Sequence, residues 1–250
     1  MDGMIDVARH MDGIVGRSTP HVARRHAFAD VIDDICTLRW ESLDAEEVMA
    51  VAKAYYYFSI QFRENLEIAC RLHPHDEKLK DLRAGECNTD NLSPWPGVAA
   101  TGERLDHDEF VRRALALEPE VRDDYLTAIG ETYLARTREL DDGTRATSIA
   151  SYEDGGLSRV FHALLRAPAW DSAGAAAFRF FLEQHIAFDS DEGGGHGALS
   201  RHLTPDDRIL PLWVAFRELL VAAVPRFWHV PATVTSAARD RAETMPLAAD

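Results

Sequence analysis

The 250-residue sequence contains little cysteine, few basic side chains and no long hydrophobic run. Its three cysteines, Cys36, Cys70 and Cys87, are widely spaced, which argues against a disulfide framework or a cysteine-based zinc site and favours a reducing compartment. No stretch approaches the roughly 18 consecutive apolar residues that a membrane-spanning helix needs. The N-terminus has neither the basic start nor the apolar stretch of a secretory signal. We therefore expect a cytoplasmic protein that does not associate with a membrane.

The excess of acidic residues argues against further classes of binding partner. The chain has 27 lysines and arginines against 42 acidic residues, a net charge of -15 with histidine neutral. A protein this acidic repels nucleic acid and anionic membrane surfaces unless a local basic patch overrides the average. The arginines occur singly or in pairs, so we expect no nucleic-acid partner. The 46% hydrophobic and 28% charged content excludes a disordered or fibrous chain and suits one globular core.

Apolar residues recur at helical spacing through most of the chain, and strand signals are almost absent. Capping boxes at Asp44–Glu47 and Asp106–Glu109 predict two helix starts, the second with His107 in its first turn. We predict a single all-α domain of seven or eight helices over residues 1–230, followed by an irregular C-terminal tail, residues 231–250. Two further helices are predicted to start near Ser18–Pro20 and at Pro119. Three more are predicted over about residues 145–166, 171–190 and 205–224.

One polar stripe stands out among these helices. On a continuous helix, His185, Asp189, Glu192 and His196 would fall at i, i+4, i+7 and i+11. Such a row is unfavourable in a hydrophobic core, because buried polar groups need partners. Imidazole and carboxylate together are suitable ligands for iron, manganese or zinc. The alternative is a solvated helix face. The glycine run 193–195 also leaves open that the helix ends before His196.

A helical metal site takes ligands from several helices, so further candidates must lie elsewhere in the chain. Glu153 lies in a helical segment with apolar neighbours and is one candidate, although it could equally be a surface residue beside a glycine pair. Glu86 and His107 flank a proline- and glycine-rich loop, residues 88–102, and loops of this length are often functional. The alternative for Glu86 and His107 is an ordinary helix cap or surface position.

These residues together resemble the ligand set of the heme-oxygenase-like dimetal oxidases and oxygenases, relatives of TenA-type and PqqC-type proteins. The resemblance covers roughly residues 20–225 and implies a heme-oxygenase-like helical bundle that binds metal ions and no heme. It implies an early pair of ligands, a mid-chain glutamate and a late helix with a histidine and a carboxylate. In this chain the matching residues are Glu86 and His107, then Glu153, then His185 and Asp189.

Two departures from the family pattern leave alternatives open. Glu192 stands where the family has its last histidine, so Glu192 ligates, or His196 takes that role, or the second metal is weak or absent. The family's early glutamate and histidine are closer together, which makes residues 88–102 an insertion between Glu86 and His107.

The resemblance implies activation of O₂ by two Fe(II) ions per chain, with manganese left open. The substrate would be a small amine, amino acid or carboxylic acid. On the helix that carries the aromatic run Tyr55–Phe58, Arg63 is our candidate for a substrate-binding residue, because its guanidinium can clamp a carboxylate. The alternative roles are core packing for the aromatic run and a structural ion pair for Arg63.

Two other classes of function are consistent with the sequence. One is a metal-free TenA-like or PqqC-like enzyme, either a hydrolase or a cofactorless oxidase. TenA-type hydrolysis would need Cys87 as its nucleophile, but the neighbouring Glu86 should raise the pKa of that thiol. A non-catalytic helical interaction protein would bury the polar stripe against a partner. Bundles of this kind often form dimers, so a homodimer is one expectation.

Overall fold

The computed structural model describes residues 26–118, 124–189 and 196–229. Over these residues the chain forms one all-α domain with ten α-helices and three 3₁₀ helices, and its only β-pairing is two isolated bridges. The α-helices are α1 (Ala27–Cys36), α2 (Ala45–Leu72), α3 (Glu77–Glu86), α4 (His107–Ala116), α5 (Asp124–Arg138), α6 (Asp142–Glu153), α7 (Gly156–Leu164), α8 (Ala173–Asp189), α9 (His196–Ser200) and α10 (Leu210–Ala223). The 3₁₀ helices are Trp40–Ser42, Asp207–Ile209 and Pro225–His229.

The all-α prediction is confirmed, with more helices than the seven or eight expected. Three predictions lie outside the described residues: the helix starts at Ser18–Pro20 and Pro119, and the tail 231–250. No helix in the described part of the chain is long and apolar enough to cross a membrane.

Helix α2 is the central element of the bundle. The predicted capping box is present, since Asp44 accepts from the Glu47 backbone N–H and Glu47 accepts from that of Asp44. The 28 residues of α2 span about 42 Å, and α3, α4, α5, α6, α8 and α10 all pack against it. Phe58 is fully buried at its middle, with its ring against those of Tyr152 and Phe216. Most of the helices that carry the candidate ligands are therefore held by one long scaffold.

The segment 145–166, predicted as one helix, is two helices separated by glycine. Gly155 has a φ of 88°, which favours glycine, and a Cβ on Gly156 would lie 2.0 Å from the Ser151 carbonyl oxygen. The chain can turn sharply here only because both residues lack side chains. The break ends α6 at Glu153 and so places that carboxylate at a helix terminus.

The α3–α4 loop, residues 87–106, folds into a compact structure that brings its two ends together. Thr89 and Leu105 exchange backbone hydrogen bonds of 3.0 and 2.8 Å, and Trp95 stacks on Phe180 of α8. The predicted capping box at Asp106 is wrong, because its Oδ1 accepts instead from the Asn88 backbone N–H. This closure sets the end of α3 beside the start of α4.

Of the two alternatives for the polar stripe, the one in which the helix of His185 ends before His196 is confirmed. Helix α8 ends at Asp189, and His196 is the first residue of the separate helix α9. His196 therefore approaches its neighbours from a different element than His185. The glycine run 193–195, which the sequence analysis named as a helix terminator, lies outside the described residues.

Candidate metal centre

Three histidines and two glutamates converge at the ends of five helices. Each of these side chains belongs to a residue that is at most 7% exposed. Four are the terminal residues of their helices, and the fifth lies four residues before the end of α8. The set is Glu86 (end of α3), His107 (start of α4), Glu153 (end of α6), His185 (α8) and His196 (start of α9).

The five side chains form two groups that share Glu86. In the first group, His107 Nδ1 lies 2.7 Å from Glu86 Oε2 and 2.9 Å from His185 Nε2. In the second, His196 Nδ1 lies 3.1 Å from Glu86 Oε1 and 3.2 Å from Glu153 Oε2. Each group offers three ligand atoms within 4.8 Å of one another. The two oxygens of Glu86 thus face different groups, as in a bridging carboxylate.

The hydrogen bonds of the first group fix which ring nitrogens carry protons. His185 Nδ1 lies 2.8 Å from the carbonyl oxygen of Phe181, which can only accept, so this nitrogen is the donor. His107 Nε2 lies 3.1 Å from Asn91 Oδ1 and donates to it. In the neutral rings, the two nitrogens that face each other at 2.9 Å are therefore both lone-pair atoms. Two lone pairs at this distance need a proton or a metal ion between them.

Helix polarity points to a cation at the same place. The C-terminus of a helix carries partial negative charge, and a carboxylate there is unfavourable unless a positive charge offsets it. Glu86 and Glu153 are both the last residues of their helices, and two of the histidines are the first residues of theirs. This arrangement is the reverse of the one that stabilises an isolated helix. It suits a positive charge held between the carboxylates.

Burial and mutual contact perturb the pKa values of the group. Burial, together with the neighbouring His107, lowers the pKa of His185 to about 3, so this ring is neutral at physiological pH. Burial alone would lower the pKa of His196, but Glu153 and Glu86 outweigh it and raise that pKa to about 11. Without a metal ion, His196 therefore carries the proton that balances part of the carboxylate charge.

The two carboxyls respond differently to the same burial. Burial disfavours ionisation of both and raises the pKa of Glu153. For Glu86, His107 and His196 outweigh burial when their rings hold a proton toward it, and they then keep its pKa well below its usual range. Glu86 is thus an anion in the position that both groups share.

The donor set and its spacing fit metal ions. The close contacts among the ligand atoms run from 2.7 to 3.2 Å. Metal–ligand bonds of about 2.1 Å at right angles place neighbouring ligand atoms about 3.0 Å apart. Three imidazoles and two carboxylates, with no thiolate, suit Fe(II), Mn(II) or Zn(II). The residues present therefore fit two metal ions, which Glu86, His107 and His185 and Glu86, Glu153 and His196 would hold.

Aromatic rings and a small cavity surround this centre. The ring of Phe181 packs 4.0 Å from that of His185, and Phe188 lies between the rings of His185 and His196, at 5.7 and 5.6 Å. A cavity of about 20 Å³ separates the ligands from α2. This volume holds about one water-sized molecule. Arg63 is the one residue of its lining that is not buried, and it therefore marks the solvent side.

Arg63, the predicted substrate-binding residue, lines the cavity, but its guanidinium already forms an ion pair with Asp108. Its Nε and Nη2 donate to both carboxylate oxygens of Asp108, at 3.0 to 3.1 Å. Burial raises the pKa of Asp108 despite this contact. A substrate carboxylate would have to share Arg63 with Asp108, so the clamp role of Arg63 stays a prediction.

The structure brings together five of the seven metal ligands suggested by the sequence. Glu192 lies outside the described residues, and Asp189 is described only as the last residue of α8, without its side chain. His196 takes a ligand position, although from α9 rather than from the helix of His185. Asn91, which orders His107, was missed, because an asparagine in a loop carries no signal of its own.

Comparisons with known proteins add no assignment: no family model, curated protein or solved structure matches the chain. What can be concluded about function rests on the geometry of these residues.

Proposed function

We propose that the chain is a non-heme dimetal oxidoreductase that uses two Fe(II) ions and O₂ to oxidise a small organic substrate. The observation that carries the proposal is the pair of three-residue groups that share Glu86. In the first group, two nitrogen lone pairs and a carboxylate are buried in contact with one another. Such a contact is unfavourable in a core without a cation, whereas the same atoms are suitable metal ligands. Manganese would be accepted by the same donors.

The resemblance noted in the sequence supports the choice of chemistry. Fe(II) ions held by histidine and carboxylate would supply the electrons that reduce O₂. The protein's own contribution would be to bind the ions, exclude water through the surrounding phenylalanines and orient a substrate. The substrate class suggested by the resemblance is a small amine, amino acid or carboxylic acid, with Arg63 and Asp108 as the charged groups nearest the cavity.

The metal-free alternative with a cysteine nucleophile loses support. Burial, with help from Asp106 and Glu86, raises the pKa of Cys87 to about 12, so almost none of this thiol is ionised at neutral pH. Cys87 is moreover absent from the lining of the cavity.

The test is metal analysis of protein loaded anaerobically with Fe(II), followed by an absorption spectrum after exposure to O₂. We expect two irons per chain and a visible absorption band that needs both iron and O₂. His185→Ala and His196→Ala should each reduce the iron content to about one per chain, since each removes a ligand from one group only.

The control variant is His162→Ala, which removes an exposed histidine of α7 whose Nδ1 hydrogen-bonds to the carbonyl oxygen of Ser158 in the same helix. It should retain both irons. Wild-type protein that holds no iron, or a His185→Ala variant that keeps two, would refute the dimetal proposal.

A further inference from the structure

Asn91 connects two parts of the metal centre from within the α3–α4 loop. Its Nδ2 donates to the carbonyl oxygen of Gly85 at 2.9 Å, and its Oδ1 lies 3.1 Å from His107 Nε2. Because the Gly85 carbonyl only accepts, the amide must turn its Nδ2 toward Gly85 and its Oδ1 toward the histidine. His107 Nε2 must then carry a proton.

This proton determines what the other side of the ring can do. With the proton on Nε2, the neutral ring of His107 presents the Nδ1 lone pair to Glu86 and His185. Metal-binding histidines usually donate their second ring N–H to an oxygen acceptor, which fixes both tautomer and ring orientation. We propose that Asn91 is a positioning residue that holds His107 in its metal-binding tautomer, an inference that rests on the proposed dimetal function.

The two histidines of this group are held in different ways. His185 donates to the carbonyl oxygen of Phe181, one turn earlier in its own helix, so the acceptor that fixes its tautomer belongs to α8. His107 depends on Asn91, which belongs to no helix. The loop keeps Asn91 in place through buried Leu92 and Val98, which pack into the core. The packing of the α3–α4 loop therefore controls one ligand of the first group.

The experiment compares the wild type with Asn91→Leu and Asn91→Asp. Leucine has a similar size and removes the acceptor, whereas aspartate keeps an acceptor for Nε2–H and loses only the donor to Gly85. Imidazole ¹⁵N NMR of the metal-free and Zn²⁺-loaded proteins reports which nitrogen of His107 is protonated. Competition with a chromophoric chelator gives the Zn²⁺ affinity of each group.

In the wild type we expect the proton on Nε2, in slow exchange with water. Asn91→Leu should release this proton to fast exchange and weaken Zn²⁺ binding at the first group by about 10- to 100-fold. Asn91→Asp should keep both properties near those of the wild type. Asp90→Ala, which changes an exposed side chain of the same loop, should alter neither.

Circular dichroism and thermal melting show whether each variant folds, and the tautomer of the wild type keeps the test decisive if the leucine variant does not fold. A wild-type His107 protonated on Nδ1 alone, or a folded Asn91→Leu variant with unchanged tautomer and Zn²⁺ affinity, would overturn the role of Asn91. Failure of the wild type to bind Zn²⁺ or Fe(II) would instead refute the dimetal proposal, while the tautomer of the metal-free protein would still decide whether Asn91 orders His107.

Discussion

Among the buried polar side chains that the structure describes, two groups differ in how their charges are balanced. Between α2 and α6, Arg145 donates through Nε to Asn65 at 2.8 Å and through Nη2 to Glu64 at 2.9 Å. Asn65 in turn donates to the hydroxyl of Ser148 at 3.0 Å. Donors meet acceptors throughout this network, and a guanidinium neutralises its carboxylate.

The candidate metal centre lacks that balance. It places two carboxylates and three imidazoles together, with no lysine or arginine among the five. Acceptors exceed donors, and in the first group two lone pairs face each other. The comparison teaches that burial of polar residues alone does not indicate a metal site, whereas an excess of converging acceptors makes these five residues a candidate for one.

The largest effect should come from the residue that both metal groups share. Glu86→Gln keeps the shape of the side chain but removes the bridging charge, so we expect the iron content to fall from two per chain to nearly none. Metal analysis after anaerobic loading and dialysis measures this. The matched control is Glu64→Gln in the network of Arg145, Asn65, Glu64 and Ser148, hereafter the balanced network. This variant should keep both irons. Two irons in Glu86→Gln would show that the groups do not depend on a common carboxylate.

A smaller effect of a different kind is expected in the balanced network. Arg145→Met leaves Asn65 Oδ1 without its donor and removes one of the two arginines that donate to Glu64, the other being Arg138. We expect this variant to destabilise the fold by about 1–3 kcal/mol, measured by urea denaturation of the metal-free protein. Its iron content should not change. Arg136→Met breaks an exposed ion pair with Glu218 and should cost less than about 1 kcal/mol. Equal losses in the two variants would remove the distinction between buried and surface pairs.

The smallest effect is expected next to the metal centre but outside it. Cys87→Ser should leave iron content and O₂-dependent absorption unchanged, because the Cys87 thiol supplies no ligand atom to either group. With its pKa raised to about 12, alkylation of Cys87 by iodoacetamide should be very slow at pH 7 and accelerate about tenfold per pH unit as the thiolate fraction rises. Rapid alkylation at pH 7, or loss of iron in the serine variant, would contradict this assignment.

The sequence predicted a helix start correctly where the residues that form the cap are within four positions of one another. The Asp44–Glu47 capping box and the apolar spacing after it predicted the start of α2, and the structure has both hydrogen bonds of the box. The Asp106–Glu109 pattern predicted the start of α4 but not its cap. There the carboxylate of Asp106 accepts from the backbone N–H of Asn88, 18 positions earlier, instead of capping α4. A pattern of four consecutive residues cannot reveal that a distant donor competes for the capping carboxylate.

The candidate ligands were predictable by residue type, but their assembly was not. Glu86 and His107 are 21 positions apart in the chain, and the pairing of Thr89 with Leu105 across the loop helps to bring them together. The sequence left open whether His196 lies on the helix of His185; in the structure it enters from α9 and meets Glu153 of α6. Contacts of this kind depend on how loops close and helices pack, which sequence periodicity does not encode.

The placement of ligands at helix ends has a consequence for dynamics. The last turns of helices are the first parts of a protein to open, at free energies far below that of global unfolding. Four of the five candidate ligands are the first or last residues of their helices. An ion bound to all of them would join five segments that are distant in sequence, and each would have to fray before the ion could leave. Metal release would then be timed by helix fraying, and hydrogen exchange in those terminal turns would slow on metal binding while the middle of α2 exchanged as before.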